Sequence, residues 1–140
     1  MAILDNALIL AKEQADTSIA AHVCTNQDYV DFGKAGAGYN KKVLVTINES
    51  MVTSASGATC LFTIQEDNDS TFGSPTTLFA TSAIAVATLV AGYKVLEFTL
   101  PAEVERYVRV TMTIATDTLA SGKWNAWIDD AQQTNMTIMQ

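Results

Sequence analysis

Residues 89–130 read LVAGYKVLEFTLPAEVERYVRVTMTIATDTLASGKWNAWIDD, and their pattern decides the fold class. Within them, residues 106–115 alternate: Val108, Val110, Met112 and Ile114 fall on one side, Tyr107, Arg109, Thr111 and Thr113 on the other. A period of two marks a strand with one buried face and one wet face. Upstream, Leu96, Phe98 and Leu100 repeat the pattern until Pro101 stops it, because proline has no N–H for a ladder. Downstream, residues 123–129 form a third strand. Trp124 and Trp127 have opposite parity there, so one is expected inside and the other outside. The stretch predicts three strands separated by two turns and holds almost no group able to do chemistry.

The same reading extends toward the amino terminus. Residues 43–49 put Val43, Val45 and Ile47 inward, and residues 59–67 do so with Cys60, Phe62 and Ile64. Residues 76–80 and 84–87 are short strands, and 29–32 is another that ends at Gly33, before a loop of Gly36, Ala37 and Gly38. Residues 17–24 place Ile19, Ala21 and Val23 on one face and His22 on the wet one. The first sixteen residues admit two readings: Ile3, Leu4, Ala7, Leu8 and Ala11 fit a helical face, while Leu8, Ile9 and Leu10 equally fit an edge strand. Residues 50–57 form a polar link and 66–75 a turn-rich loop. About eight to ten strands with turn signals every eight to twelve residues predict an all-β, antiparallel jelly roll or β-sandwich of about eight strands. The expected organisation is an amino-terminal arm (1–16), a jelly-roll domain (17–131) and a carboxy-terminal tail (132–140).

Composition narrows the function. The chain has 140 residues, one domain's worth, and 49% are hydrophobic, ample for a core without disulfide or metal. Only 16% are charged, against about 25% in typical domains, and Thr, Ala and Ser fill the polar faces. Such a lightly charged β surface suits contact with other protein. A formal charge of −7 opposes nucleic acid and anionic membrane as partners, since both are negative. The longest weakly polar run, residues 78–92, falls short of the roughly 20 residues a spanning helix needs. Asp5 stands where a signal peptide would be basic, so no secretory signal is expected. Cys24 and Cys60 are too few for a disulfide framework and are expected reduced.

Candidate chemistry is thin. His22, the single histidine, lies two residues from Cys24 on the same strand face, a weak hint of a nucleophile–base pair. Three His and Cys residues in all fall short of the four ligands of a structural zinc. In the acidic loop from Glu66 to Asp69, Asp67, Asp69 and Thr71 are spaced like the first calcium ligands of an EF-hand. Phe72 and Leu78, however, replace its glycine and its last glutamate, so a solvated turn is the plainer reading. GKAGAG (33–38) lacks the strand-to-helix context of a phosphate loop. The sequons at Asn48, Asn68 and Asn135 are chance matches without a secretory signal. No metal, cofactor or enzymatic activity is expected. The aromatic residues say more: Tyr107 and Arg109 on an outward face, with Trp127, are residue types that anchor protein interfaces, or else half-covered side chains at a sheet edge.

SPTTLFATSAIAVATLVAGYKV (74–95) and LPAEVERYVRVTMTIATDTLASGKWNAWI (100–128) resemble the capsid cement, or decoration, proteins of tailed phages, the type described for a short-tailed Bordetella phage. ILDNALIL (3–10) and Tyr29-Val30-Asp31-Phe32-Gly33 fit as well, whereas residues 24–28 and 132–140 lie outside the resemblance. The resemblance is strongest in the order GY, then P with ERY-R, then Gly-Lys before the last strand. It implies a jelly-roll protein on the outer surface of an icosahedral capsid, made in the host cytoplasm. It further implies a homodimer or homotrimer that clamps neighbouring major capsid protein subunits, with no catalysis and no cofactor. Both terminal segments carry apolar residues outside the strand pattern (Ile3, Leu4, Leu8 and Ile9; Met136, Ile138 and Met139) and are expected to contact other subunits. The rival expectation is a glycan- or receptor-binding β-sandwich module of a phage virion, with Trp127 and Asp129 in the saccharide site.

Overall fold

The computed structural model describes residues 8–36 and 41–130, with Asp130 as backbone only. Of the expected contact residues, Ile3, Leu4, Met136, Ile138 and Met139 therefore lie outside the described residues, as do Ala7 of the helical reading and the glycine loop from Ala37 on.

Among the described residues ten strands follow in order: β1 (Ile9–Gln14), β2 (Ala21–Val23), β3 (Val30–Asp31), β4 (Lys41–Thr53), β5 (Thr59–Asp67), β6 (Thr76–Ala80), β7 (Ile84–Ala85), β8 (Lys94–Thr99), β9 (Tyr107–Ala115) and β10 (Leu119–Asp130). They make two sheets, and every pairing is antiparallel. The first sheet has the order β1-β10-β4-β8; the second has β2-β9-β5-β6, with β3 also on β9 and β7 also on β5. Counting β2 with β3, and β6 with β7, as one position each leaves eight. The first then pairs with the eighth, the second with the seventh, the third with the sixth and the fourth with the fifth. That is a long hairpin folded over itself, closed by β4–β10 in one sheet and β5–β9 in the other, which is the jelly roll. The expected fold class holds.

The inward sets meet between the sheets. Val43, Val45 and Ile47 of β4 and Trp124, Ala126 and Ile128 of β10 face Cys60, Phe62 and Ile64 of β5 and Val108, Val110, Met112 and Ile114 of β9, all buried. Trp124 and Phe62 meet edge to face at 5.6 Å and 73°, the favoured offset for aromatic quadrupoles, and join the sheets near their centre. Trp124 is thus the inside tryptophan and Trp127 the half-exposed one. Gly122 lets β10 cross β4 closely: its φ is +133°, and a Cβ there would sit 2.7 Å from Met51 Cγ and 2.8 Å from Met51 Cα. The β4–β10 register shifts on both sides of it. These bulges let both strands run on, β4 through Ser50, Met51, Val52 and Thr53 and β10 back to Leu119, past the ends that patterning implied.

Ile9–Gln14 is a strand paired with β10, which decides between the two readings of the first residues in favour of the edge strand. Two expectations change. In β2 the faces are reversed. His22 lies opposite Met112 in the register, which turns it toward the sandwich, while Ile19 (56% exposed) and Val23 (42%) point outward. Cross-strand partners share a face, and at this edge the side chain facing inward finds polar partners: His22 Nε2 lies 2.8 Å from the Ser18 carbonyl and Nδ1 3.5 Å from Asp16. Finally, the outward face of β9 is not open water. Thr111 is buried and Tyr107, Arg109 and Thr113 are half-buried, because other residues fold over them.

Candidate interaction surfaces

The outward face of the first sheet is built by register. Ile9 pairs with Trp127, Trp127 with Leu44, and Leu44 with Glu97, so four strands line up one row across the sheet. Ile9, Leu44 and Trp127 are half-buried, yet they are not among the side chains packed on the core. Beside them runs a trough of about 270 Å³ lined by Ile9, Ala11, Lys12, Thr46, Asn125 and Trp127. Glu13 has a positive φ of 47° and its N–H donates to Asn125 Oδ1 at 2.7 Å, which holds the bulged β1 beside the trough. Ion pairs rim the face. Glu97 takes Lys42 at 2.9 Å and Lys94 at 2.7 Å, and Lys123 lies 3.4 Å from Glu49. The hydrogen bond from Lys94, then that from Lys42, holds the Glu97 carboxyl at about 2, well below its ordinary 4.5.

The outward face of the second sheet is used differently. Phe72, from the β5–β6 loop, folds back and is buried. Arg109 lies over its ring at 4.2 Å and donates from Nε to Gln65 Oε1 at 2.8 Å. Burial lowers the pKa of the Arg109 guanidinium. Tyr107 meets Tyr29 edge to face at 5.1 Å, and Arg106 sits over Tyr107 at 5.0 Å while reaching both carboxylate oxygens of Asp31 at 2.8 and 3.0 Å. Tyr107 and Arg109 were expected as contact residues; here they are occupied in pinning the β5–β6 and β3 segments to the sheet. The acidic loop is likewise spent internally. Asp67 accepts from the N–H groups of Asp69 and Ser74, and Asp69 from that of Thr71, as side chains that shape turns do. Among the described residues no group of three or more His, Cys, Asp or Glu is placed to hold a metal ion.

Edges and ends complete the surface. The β1 edge is closed where Asn26 Nδ2 donates to the Ile9 carbonyl (2.7 Å) and the Gln27 N–H to that of Leu10 (3.1 Å). The β6 edge carries no charge, and its Phe79 is 37% exposed against Phe98 at 5.3 Å. At one end of the sandwich the connections 15–20, 54–58, 81–93 and 116–118 hold just two charged residues, Asp16 and Asp117. Asp16 accepts from Trp124 Nε1 (3.0 Å), and Asp117 from Thr53 Oγ1 and three backbone N–H groups, the Thr53 bond first in holding its pKa low. The cysteines are free and buried. Burial pushes Cys24 up to about 12 and Cys60 to about 11, which leaves them as thiols. The Cys24 thiol donates to the Val110 carbonyl rather than engaging His22.

The predicted contact residues thus fall on two opposite faces. Tyr107 and Arg109 lie on the second sheet and are satisfied within the chain; Ile9 and Trp127 lie together on the first sheet, and Leu8 packs half-buried against the core. Asp129 pairs with Lys42 one row from Trp127 and does not line the trough. Patterning overlooked Leu44, although its signal was present: an apolar side chain at a position that the period of two assigns to water.

No curated protein matches the chain. A family model, Bbp16, matches residues 10–128, from the second residue of β1 to near the end of β10. With both sheets of the jelly roll inside that match, the chain belongs to the Bbp16 family, a family associated with a Bordetella phage.

Proposed function

We propose that this chain is a structural virion protein that decorates the outer surface of the phage capsid as a homo-oligomer and clamps neighbouring major capsid protein subunits. The observation that carries the reading is the phage-family match across the whole jelly roll, in a fold whose outward surface is organised for contact. One sheet face has an apolar centre with a rim of ion pairs, and one edge strand and one end carry little or no charge. A negative chain also suits the outside of a head better than the side facing packaged DNA. An oligomer touching several capsid subunits gains from effective concentration, which adds roughly 10²–10⁴ to the affinity of a single contact. The test is to add the purified protein to heads that lack it. Bound density at regular capsid positions, with heads more resistant to heat, supports the reading; no binding and unchanged head stability refute it.

The trough favours a second reading, a glycan-binding module. An aromatic face (Trp127) beside an amide, a hydroxyl and an ammonium (Asn125, Thr46, Lys12) offers a sugar ring both stacking and hydrogen bonds. Glycan screening of the wild type against Trp127→Ala separates the two.

A further inference from the structure

We propose that the outward face of the first sheet is where two copies of this chain meet, sheet against sheet about a two-fold axis, with Trp127, Leu44 and Ile9 at the centre. The inference rests on the reading of the protein as a self-associating virion component and names the surface it uses. Charge selects the occupant. On this face Lys42 and Lys94 are matched to Glu97, and Lys123 to Glu49. Lys12 beside the trough, Glu13 bonded by Asn48, and Asp129 opposite Lys42 complete four bases against four acids. Elsewhere among the described side chains, acids outnumber bases nine to four. Two copies of so acidic a chain repel each other over most approaches, and this face is one that brings no net charge to a copy of itself.

Shape and size agree. The apolar row is bounded by charged side chains, the arrangement of a desolvated centre within a polar rim. Trp127 is half-buried and is not among the side chains packed on the core, and a facing copy gives its ring and the trough a partner. The face comprises strands of 6, 12, 13 and 6 residues. At about 3.3 Å per residue and 4.8 Å per strand they cover roughly 600 Å², at the lower end of the ~600–1,000 Å² per partner of a standard stable interface. Sheets pack about 10 Å apart through interdigitating side chains, and the outward, half-buried Trp127 and Leu44 are the apolar side chains on this face available for such packing. In a two-fold arrangement each Trp127 lies over the other copy's apolar row, and each rim lysine approaches the other copy's rim carboxylates.

The test is the mass of the wild-type protein in solution by sedimentation equilibrium, with Trp127→Glu and Thr46→Arg beside it. A wild-type mass of twice 15.0 kDa is expected, with dimerisation weakened at least tenfold in both variants. Dimerisation should persist in high salt, because the contact is neutral and apolar while the repulsion elsewhere is screened. Trp127 fluorescence should also lose access to an aqueous quencher as concentration rises, against a constant signal from buried Trp124. Thr46→Arg keeps the test decisive if Trp127→Glu fails to fold, as judged by near-ultraviolet circular dichroism. A monomer or a trimer at every concentration overturns the proposal, and so does a dimer that both folded variants retain. Head binding is read separately: a wild-type dimer that ignores heads refutes the decoration reading and leaves the interface standing.

Discussion

Substituting Gly122 by alanine tests the packing at the centre of the first sheet. Two costs combine. The glycine sits at φ +133°, where an L side chain is strained, worth about 1–2 kcal/mol. The new methyl would lie 2.8 Å from Met51 Cα, against roughly 3.5–4.0 Å for a relaxed carbon contact. The neighbour is backbone, so β4 itself must retreat by ~0.7 Å or more. Overpacking of that kind costs about 1–3 kcal/mol, and the two together make ~3–4 kcal/mol. For a domain of this size each kcal/mol moves Tm by roughly 3–4 °C, so a fall of ~10 °C or more is expected by scanning calorimetry. Gly92→Ala is the matched control: its φ is +87°, but a Cβ there meets nothing within 4 Å, so it carries the strain without the clash. The difference between the two variants isolates the close approach of β10 to β4. If Gly122→Ala lowers Tm no more than Gly92→Ala does, the reasoning is wrong.

Other outcomes follow from named contacts. Glu97, held at about 2 against an ordinary 4.5 by its two lysines, contributes stability that is present above the ordinary carboxylate range and lost as pH falls toward 2. Urea midpoints measured between pH 5 and 2 should therefore drop less steeply in Glu97→Gln than in the wild type. Cys24 and Cys60, raised by burial to about 12 and 11, should resist a thiol reagent at pH 8 in the native protein and react fully once it is unfolded; fast labelling of the folded form would contradict the burial. Arg109→Ala removes the guanidinium over Phe72 and the bond to Gln65. It should raise amide exchange in residues 68–75 with a global stability change of only about 1 kcal/mol.

Much of the fold was legible because a strand's periodicity is local. Val108, Val110, Met112 and Ile114, or Cys60, Phe62 and Ile64, declare an inward face whatever strand lies next door, and each is buried as read. The parity of the two tryptophans was decided by spacing alone, and it held. Short edge elements were harder. β2 has three residues, too few for an apolar pattern to outweigh the register with β9, so His22 turned in and Val23 out. The helix-or-strand ambiguity of the first residues was settled by the ladder with β10 from Ile9 onward, which no local signal specifies.

What the sequence determined by itself is the class of protein: an all-β antiparallel sandwich, its inward residues, a weak case for catalysis, and the turn and strand pattern by which it resembles phage proteins. What only the tertiary structure decided is which outward residues stand together and which are already occupied. Ile9, Leu44 and Trp127 are far apart in the chain and become one row only through the β1–β10–β4 register. Tyr107 and Arg109, outward by the same parity rule, are claimed by Tyr29 and Phe72 from loops folded over the second sheet. A period of two fixes the side of a sheet on which a residue lies. Whether that side meets water, a loop or another copy depends on pairing across long loops, and that is a property of the folded chain as a whole.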